Sequence, residues 1–328
     1  MSKTIYQYEP KPAAWLKRDI LLFANSIGCT AAEMHYLYPR QELHPDFAAF
    51  PAYPLMLTFK HDSSDVVDFK DHFGRFLTPP PAIPALPDLP ALDSDRVVDG
   101  ERAIEIIRPL PVSSQGRTFE IRSSVIGVWD KAIKATVIET EHLIVETGVE
   151  DTLFTRMTEI AFYMGQGGWG GPNGPSTAIP KPAPEERPFA TLTHDIGPTA
   201  HLLYRLNGDF NPLHATECPN AIVQPTPIMH GLYSWNTVCH SILEKLCKSD
   251  PRALKSFRAR FTSPVRPGDT LITDVWICGM VDDVSDNTHG DGWREVRFTT
   301  RVKGGKVCLT NGSAVVRLAG GTKPTSKL

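Results

Sequence analysis

Residues 230–248, HGLYSWNTVCHSILEKLCK, place Leu232, Trp235, Val238, Cys239, Ile242, Leu243 and Leu246 at helical spacing, which predicts one long helix with a broad apolar face. Such a face has to be covered. The material follows directly in FRARFTSP (257–264), TLITDVWICGMVDD (270–283), WREVRFTTRVKGG (293–305) and KVCLTNGSAVVRLA (306–319). These runs are rich in β-branched and aromatic residues with partial alternation, the pattern of antiparallel strands. A helix ahead of a run of strands gives an α+β class, with a sheet wrapped around the helix.

The first half repeats the theme in another order. KRDILLFANSIG (17–28) reads as a helix, and AIEIIRPLPV (103–112), FEIRSSVIGVWDK (119–131), KATVIETEHLIVE (134–146) and RMTEIAFYM (156–164) read as antiparallel strands. Two stretches interrupt the pattern. TPPPAIPALPDLPALD (78–93) is too proline-rich for a helix or central strand and predicts a stiff surface loop. GQGGWGGPNGPSTAIPKPAPEERP (165–188) predicts an irregular linker, because it has neither the GxxxxGK[ST] order nor the strand–GxGxxG–helix setting of a phosphate loop. With 328 residues the chain exceeds one comfortable core, so two units are expected, 1–164 and 189–325, joined by 165–188. IRPLPVSSQGRTFEI and FTSPVRPGDTLITDV echo one another loosely, which raises the suspicion of a duplication.

Charge and cysteine usage remove several function classes. There are 34 basic and 37 acidic residues and no basic stripe, so nucleic acid is not expected as a partner. The run LLFANSIGC is short and broken by Asn25, Ser26 and Gly28, far from the ~20 apolar residues a membrane helix needs, so a soluble chain is expected. Six scattered cysteines without a CxxC pair are expected to be reduced thiols. The final residues Ser326, Lys327 and Leu328 spell the tripeptide read by the peroxisomal import receptor, and GGTKPT ahead of them would leave it accessible. A peroxisomal location is expected.

YRLNGDFNPLH (204–214) packs an Asp, an Asn and a His around Gly208 and Pro212. Asp209 and His214 are five residues apart in a non-regular turn, where a carboxylate and an imidazole can share one water as a general acid/base pair. The same residue types also serve local backbone turns, so Asp209 and Asn211 as turn residues is the competing reading. A metal held by Asp209, His214 and His230 is a third reading, but the spacings form no standard zinc signature.

Taken with PTPIMHGL (225–232) and ARFTSPVRPGDTL behind it, this stretch resembles the hydratase 2 / MaoC-like dehydratase family. RDILLFANSIGC near the start, VDGERAIEIIRPLPV (98–112), VWDK (128–131) and GQGGWGG resemble further pieces of its two-domain eukaryotic, peroxisomal members. The resemblance implies a double hot-dog fold, two curved antiparallel sheets each wrapped around a helix. It implies reversible hydration of a trans-2-enoyl-CoA to a (3R)-hydroxyacyl-CoA, or the reverse dehydration, on an acyl-CoA thioester of fatty-acid or polyketide origin. Asp209 and His214 then match the catalytic pair, Asn211 the Asn that organises the site, and Gly231 the oxyanion hole. His230 and Tyr204 are expected against the substrate. Arg258 and Arg260, with Lys255 and Arg266, offer cations for the CoA phosphates, with ordinary solvated charge as the alternative. The first half holds no second GDxNxxH and is expected to take the acyl tail, with PAYPLMLTF (51–59) lining it or filling the core. No metal or separate cofactor is implied, and a homodimer is left open. Asn207 stands where the family has Ser or Thr, and ATECPNAIVQ (215–224) departs from the usual continuation, which touches the choice of substrate. An acyl-CoA thioesterase on the same fold and a non-catalytic acyl-CoA-binding protein are the alternative functions.

Overall fold

The alternating runs pair into antiparallel strands in the computed structural model, which describes residues 4–39, 46–62, 65–67, 83, 86, 88–176, 187–218, 223–281 and 292–320. The first half carries β1 (Tyr6–Gln7), β2 (Lys11–Ala13), α1 (Lys17–Ser26), α2 (Met34–Leu37), α3 (Pro54–Lys60), β3 (Val97–Ile106), β4 (Phe119–Asp130), β5 (Ala135–Glu146) and β6 (Thr152–Met164). The second carries β7 (Ala190–Asp195), α4 (Ala200–Tyr204), α5 (Gly231–Cys247), β8 (Leu254–Phe261), β9 (Thr270–Met280), β10 (Trp293–Val302) and β11 (Val307–Arg317). The class is α+β as expected. Much of the 78–93 loop, residues 177–186 of the linker and the Ser326–Leu328 tail lie outside the described residues.

Strand order is β1-β4-β5-β6-β3-β8-β11-β10-β9-β7, with β2 beside β4. The two expected sheets are therefore two halves of one continuous sheet. They meet where β3 pairs with β8, in the register Glu101↔Arg260, Ala103↔Arg258 and Glu105↔Ser256. Strand β7 was not foreseen, because ATLTHD alternates over only six residues. Strand β3 starts at Val97 and not at Ala103, since Asp99, Gly100 and Glu101 hide its alternation behind a bulge.

Helix α5 covers the second half-sheet. Trp235 stacks edge-on against Phe257 at 4.3 Å, Phe257 packs on Phe298 at 4.7 Å, and all seven apolar residues of the predicted stripe are buried. Each large side chain so buried contributes about 1.5–3 kcal/mol. The helix stops at Lys248 and Ser249, both left-handed at φ 53° and 56°. There the first half grips it. His35 Nε2–H and Tyr36 O–H both donate to the Ser249 carbonyl at 2.8 Å, and the Ser249 hydroxyl donates to Glu33 at 2.6 Å. Burial would raise the Glu33 carboxyl, but His240 at 2.8 Å and Ser249 outweigh it and hold it down at about 2.

Among the described residues the first half has three shorter α-helices instead. The apolar run 51–59 enters the core as α3, with Leu55, Met56 and Leu57 buried. On the inner face of this half-sheet, Ile121, Ile144, Met157 and Ile104 belong to the main core, whereas Val125, Ile138, Ala161 and Tyr163 form a separate cluster. Between them runs a polar band. Ser123 of β4 lies 2.8 Å from His142 of β5, His142 3.4 Å from Glu159 of β6, and Glu159 2.7 Å from Arg102 of β3, which also holds Asp99 at 2.7 Å. The bulge at Gly100 makes the last contact, turning Asp99 onto the face of Arg102. A Cβ on Gly100 would come within 2.2 Å of the Phe162 ring, so only glycine fits this bulge.

None of the six cysteines is in a disulfide, and among the described residues no helix is long and apolar enough to cross a membrane.

Candidate active site

Residues 204–214 fold into two short 3₁₀ turns around a glycine. The first spans Arg205–Asn207, then Gly208 takes φ 123°, and the second spans Pro212–His214. Gly208 is required twice over. Its backbone lies in a region side chains avoid, and a Cβ there would sit 2.8–2.9 Å from the backbone of Lys60 at the end of α3. The first half thus presses directly on this turn. Asn211 caps the second turn, its Oδ1 accepting the Leu213 N–H at 3.0 Å, while the Asn211 N–H donates to Asp209 Oδ1 at 3.2 Å. The turn reading of Asp209 and Asn211 is therefore part of the site: these bonds fix where Asp209 and His214 point.

His214 donates from Nδ1–H to the Ile228 carbonyl at 3.0 Å. A carbonyl can only accept, so the proton is on Nδ1 and the Nε2 lone pair is open. Its ring stacks on that of His230 with centroids 3.8 Å apart and planes 27° apart. His230 Nε2–H in turn donates to the Asp209 carbonyl at 3.0 Å and stands 4.0 Å from the Asp209 carboxylate. One carboxylate oxygen of Asp209 and one nitrogen of each imidazole all lie within 4.8 Å of one another. One nitrogen of each ring is already committed to a backbone carbonyl.

Burial lowers the His214 pKa from 6.5, against the raising influence of Asp209, and lowers that of His230 much further, with His214 adding to the effect. Both imidazoles are neutral at pH 7. Beside them begins α5, whose Gly231 and Leu232 N–H groups have no acceptor among the described residues. Unpaired N–H groups at a helix start carry partial positive charge toward the dyad. A Cβ on Gly231 would press on the Phe261 ring at 3.2 Å.

The structure brings Asp209, His214, Asn211 and Gly231 together around His230. His230 and Tyr204, expected against the substrate, are each only 1% exposed, with the His230 ring between those of His214 at 3.8 Å and Tyr204 at 5.1 Å by centroid distance. The Tyr204 hydroxyl accepts from Asn236 at 2.8 Å. Arg258 and Arg260 are not brought to the site. Their neighbours Phe257 and Ala259 face α5, so the two guanidiniums project from the opposite face, where both pair with the buried Glu101. Asn207 turns away from the dyad and donates from Nδ2 to Ser26 of α1 at 2.9 Å and to the Tyr204 carbonyl at 2.8 Å.

Sequence reasoning missed Arg102 and Asp99. Both lie within electrostatic range of Asp209, and the Arg102 guanidinium sits 5.6 Å from the ring of Phe59, next to the Lys60 that touches Gly208. The available signal was the charged triplet around Gly100 inside an apolar run.

Residues 176–305 match the family described as MaoC like domain, and residues 14–165 match the one described as MFE-2 hydratase 2 N-terminal domain. The chain is 43% identical over 317 residues to "Probable dehydratase NIT22" of Ajellomyces capsulatus, covering 95% of this chain and 81% of that one. It is 29% identical over 275 residues to "Enoyl-CoA hydratase 2, peroxisomal" of Arabidopsis thaliana, covering 80% and 82%. The solved MaoC-like dehydratase from Phytophthora capsici superimposes with a TM-score of 0.74 at 29% identity, over 96% of this chain and 97% of that one. A Mycobacterium tuberculosis protein described as a double hot-dog fold superimposes at 0.55 with 13% identity, over 97% and 96%, and supports the fold alone. The glycine turn, the capped 3₁₀ turn with its histidine and the start of α5 thus stand in a chain similar to these proteins along nearly its whole length, and the chain belongs to the MaoC-like dehydratase and hydratase 2 family.

Proposed function

We propose that the protein hydrates trans-2-enoyl-CoA thioesters to (3R)-hydroxyacyl-CoA, and catalyses the reverse dehydration, with Asp209 and His214 as its acid/base pair. The observation that carries this reading is the open Nε2 of a neutral, buried His214 beside the Asp209 carboxylate, next to the α5 N–H groups that have no acceptor among the described residues. The names of relatives as enoyl-CoA hydratase and dehydratase support the same reaction class.

A water held between Asp209 and His214 gives one proton to Nε2 as its oxygen bonds to C3. The C2–C3 π electrons move toward C2 and the thioester oxygen, whose enolate charge meets the Gly231 N–H. The imidazolium, stabilised by Asp209, then returns its proton to C2, and the dyad ends as it began. Every proton comes from the water, so the reaction as written draws on no cofactor. Asn211 and His230 hold the pair in place. The first half would accommodate the acyl chain, with 1–164 and 189–325 as the two units around the 165–188 linker.

The test follows loss of the conjugated enoyl-thioester absorbance with Asp209→Ala and His214→Ala. Each is expected to lower turnover by a factor of about 100 or more. Near-native rates in either variant, or release of free thiol to a thiol-reactive dye in place of hydration, would overturn the assignment. We place the enzyme in peroxisomes, in line with the peroxisomal Arabidopsis relative. A fluorescent fusion that reaches peroxisomes with Ser326–Lys327–Leu328 and stays outside without them tests both the location and the import receptor as partner.

A further inference from the structure

The inner face of the first half-sheet is where an acyl chain would lie, and its centre is polar. The register that gives Ile121, Ile144, Met157 and Ile104 on one side of the band gives Val125, Ile138, Ala161 and Tyr163 on the other. Between them come Ser123, His142, Glu159, Arg102 and Asp99. Arg102 is buried and the other four are partly buried, the Asp99 side chain 32% exposed, and taking such groups out of water costs stability unless they are paired. The pairing here is incomplete. Asp99 Oδ1 is buried with no hydrogen-bond partner among the described residues, and His142 Nε2 reaches Glu159 only at 3.4 Å.

The band also has a direction. It ends at Asp99 and Arg102, within electrostatic range of Asp209, and the Trp235 Nε1–H of α5 donates to the Arg102 carbonyl at 3.1 Å. The glycine bulge that aims Asp99 inward is the device by which a strand re-points a side chain near a site.

We infer that Asp99, backed by Arg102, Glu159 and His142, is a specificity residue that accepts a hydrogen bond from a hydroxyl on the acyl chain, so that hydroxylated enoyl-CoA thioesters are the preferred substrates. The inference rests on the hydratase reading above. A neutral hydroxyl supplies the donor that Oδ1 lacks, and it adds no charge to a band in which Arg102 already bridges both carboxylates. A site built to bond a hydroxyl discriminates strongly against the analogue without one, because the buried acceptor is then left unpaired.

The experiment measures kcat/KM of the full-length enzyme for trans-2-decenoyl-CoA and for the same thioester bearing one hydroxyl at successive carbons from C5 outward. At one position the hydroxylated chain is expected to exceed the plain one by at least about tenfold, and Asp99→Leu to bring that ratio close to one. If Asp99→Leu does not fold, Asp99→Asn keeps the shape, weakens the acceptor and is expected to cut the ratio severalfold. A ratio at or below one at every position, or a ratio unchanged by either substitution, overturns the inference while leaving the hydratase standing. Failure to hydrate any chain, the plain one included, overturns both.

Discussion

On the inner face of the second half-sheet, Phe257, Leu271, Val275, Phe298 and Ala314 are buried in one apolar core with α5. On that of the first, the apolar ladder from Ile104 to Ile121 gives way after one step to Arg102, Glu159, His142 and Ser123. Helix length accounts for much of the difference. Seventeen residues at about 1.5 Å each make α5 some 25 Å long, enough to cap a half-sheet, whereas α1, α2 and α3 have ten, four and seven residues. In the second half, the inner-face hydroxyls of Thr273 and Thr300 bond to one another at 2.9 Å, and the N–H groups without an acceptor among the described residues lie at the start of α5. In the first, polar groups remain on the sheet itself. On the proposed reading, one half reacts and the other chooses what reacts.

The largest effect should come from breaking the reactive half. Asp209→Ala combined with His214→Ala is expected to cost little more than the worse single variant, because on the proposed mechanism the two groups share one water and fail together. Fully multiplying losses, measured as kcat on a plain enoyl-CoA, would mean that the residues work on separate steps.

The next effect lies where the halves touch. Gly208→Ala forces a side chain into φ 123° and onto the backbone of Lys60, for which strain of about 1–3 kcal/mol is expected. Because the same turn carries Asp209, the melting temperature and kcat should fall together. A drop in melting temperature with full activity would show that the dyad's geometry does not depend on the first half.

Acid should act on the halves in sequence. In the second, His194, His201, His214 and His230 all have pKa values lowered from 6.5, chiefly by burial. The unfolded chain then binds more protons than the native one, so the stability from neutral imidazoles is complete above pH 6.5 and is lost as pH falls through 6.5 toward the native values. In the first, Glu33 titrates at about 2 instead of 4.5, so its contribution is complete above pH 4.5 and is lost only below that. The melting temperature is expected to fall between pH 7 and 5, less the part that Asp99 gives back as its carboxyl, raised by burial to about 7, takes up a proton in the same window, and the acid limb of kcat/KM is expected to lie below pH 6.5. A melting temperature flat to pH 5 would show that these histidines are as solvated as in the unfolded chain.

How much of this the sequence disclosed follows the same division. Helix α5 and strands β4, β5, β9, β10 and β11 were legible because each is long and strongly patterned. The candidate site at 204–214 was legible because Asp209, Asn211 and His214 fall within six residues beside Gly208 and Pro212. The polar band was not, since Asp99, Arg102, Ser123, His142 and Glu159 are separated by up to 60 residues and meet only through strand register and one bulge. Arg258 and Arg260 show the same blindness from the other side. Their charge was visible, but the face they occupy is set by Phe257 and Ala259 packing inward. His230 was visible as well, but its place against His214 depends on a ring stack that spacing cannot reveal.

Asn207, one of the two places where the sequence departs from the pattern of the family it resembles, gives the smallest expected effect. Its side chain spans the halves, since Nδ2 donates to Ser26 of α1 and to the Tyr204 carbonyl. Asn207→Ser shortens the side chain and gives up both bonds, each worth about 1 kcal/mol net. It also removes Oδ1, which is buried without a partner among the described residues, and this offsets part of the loss. A net cost of about 1 kcal/mol corresponds to a melting temperature lower by about 2 °C in a chain of this size. Because Asn207 points toward α1 and away from Asp209, kcat/KM on a plain enoyl-CoA should change by less than about threefold, the scale of half a kcal/mol or so. A much larger fall in kcat/KM at an unchanged melting temperature would move Asn207 from the seam between the halves into the substrate's path.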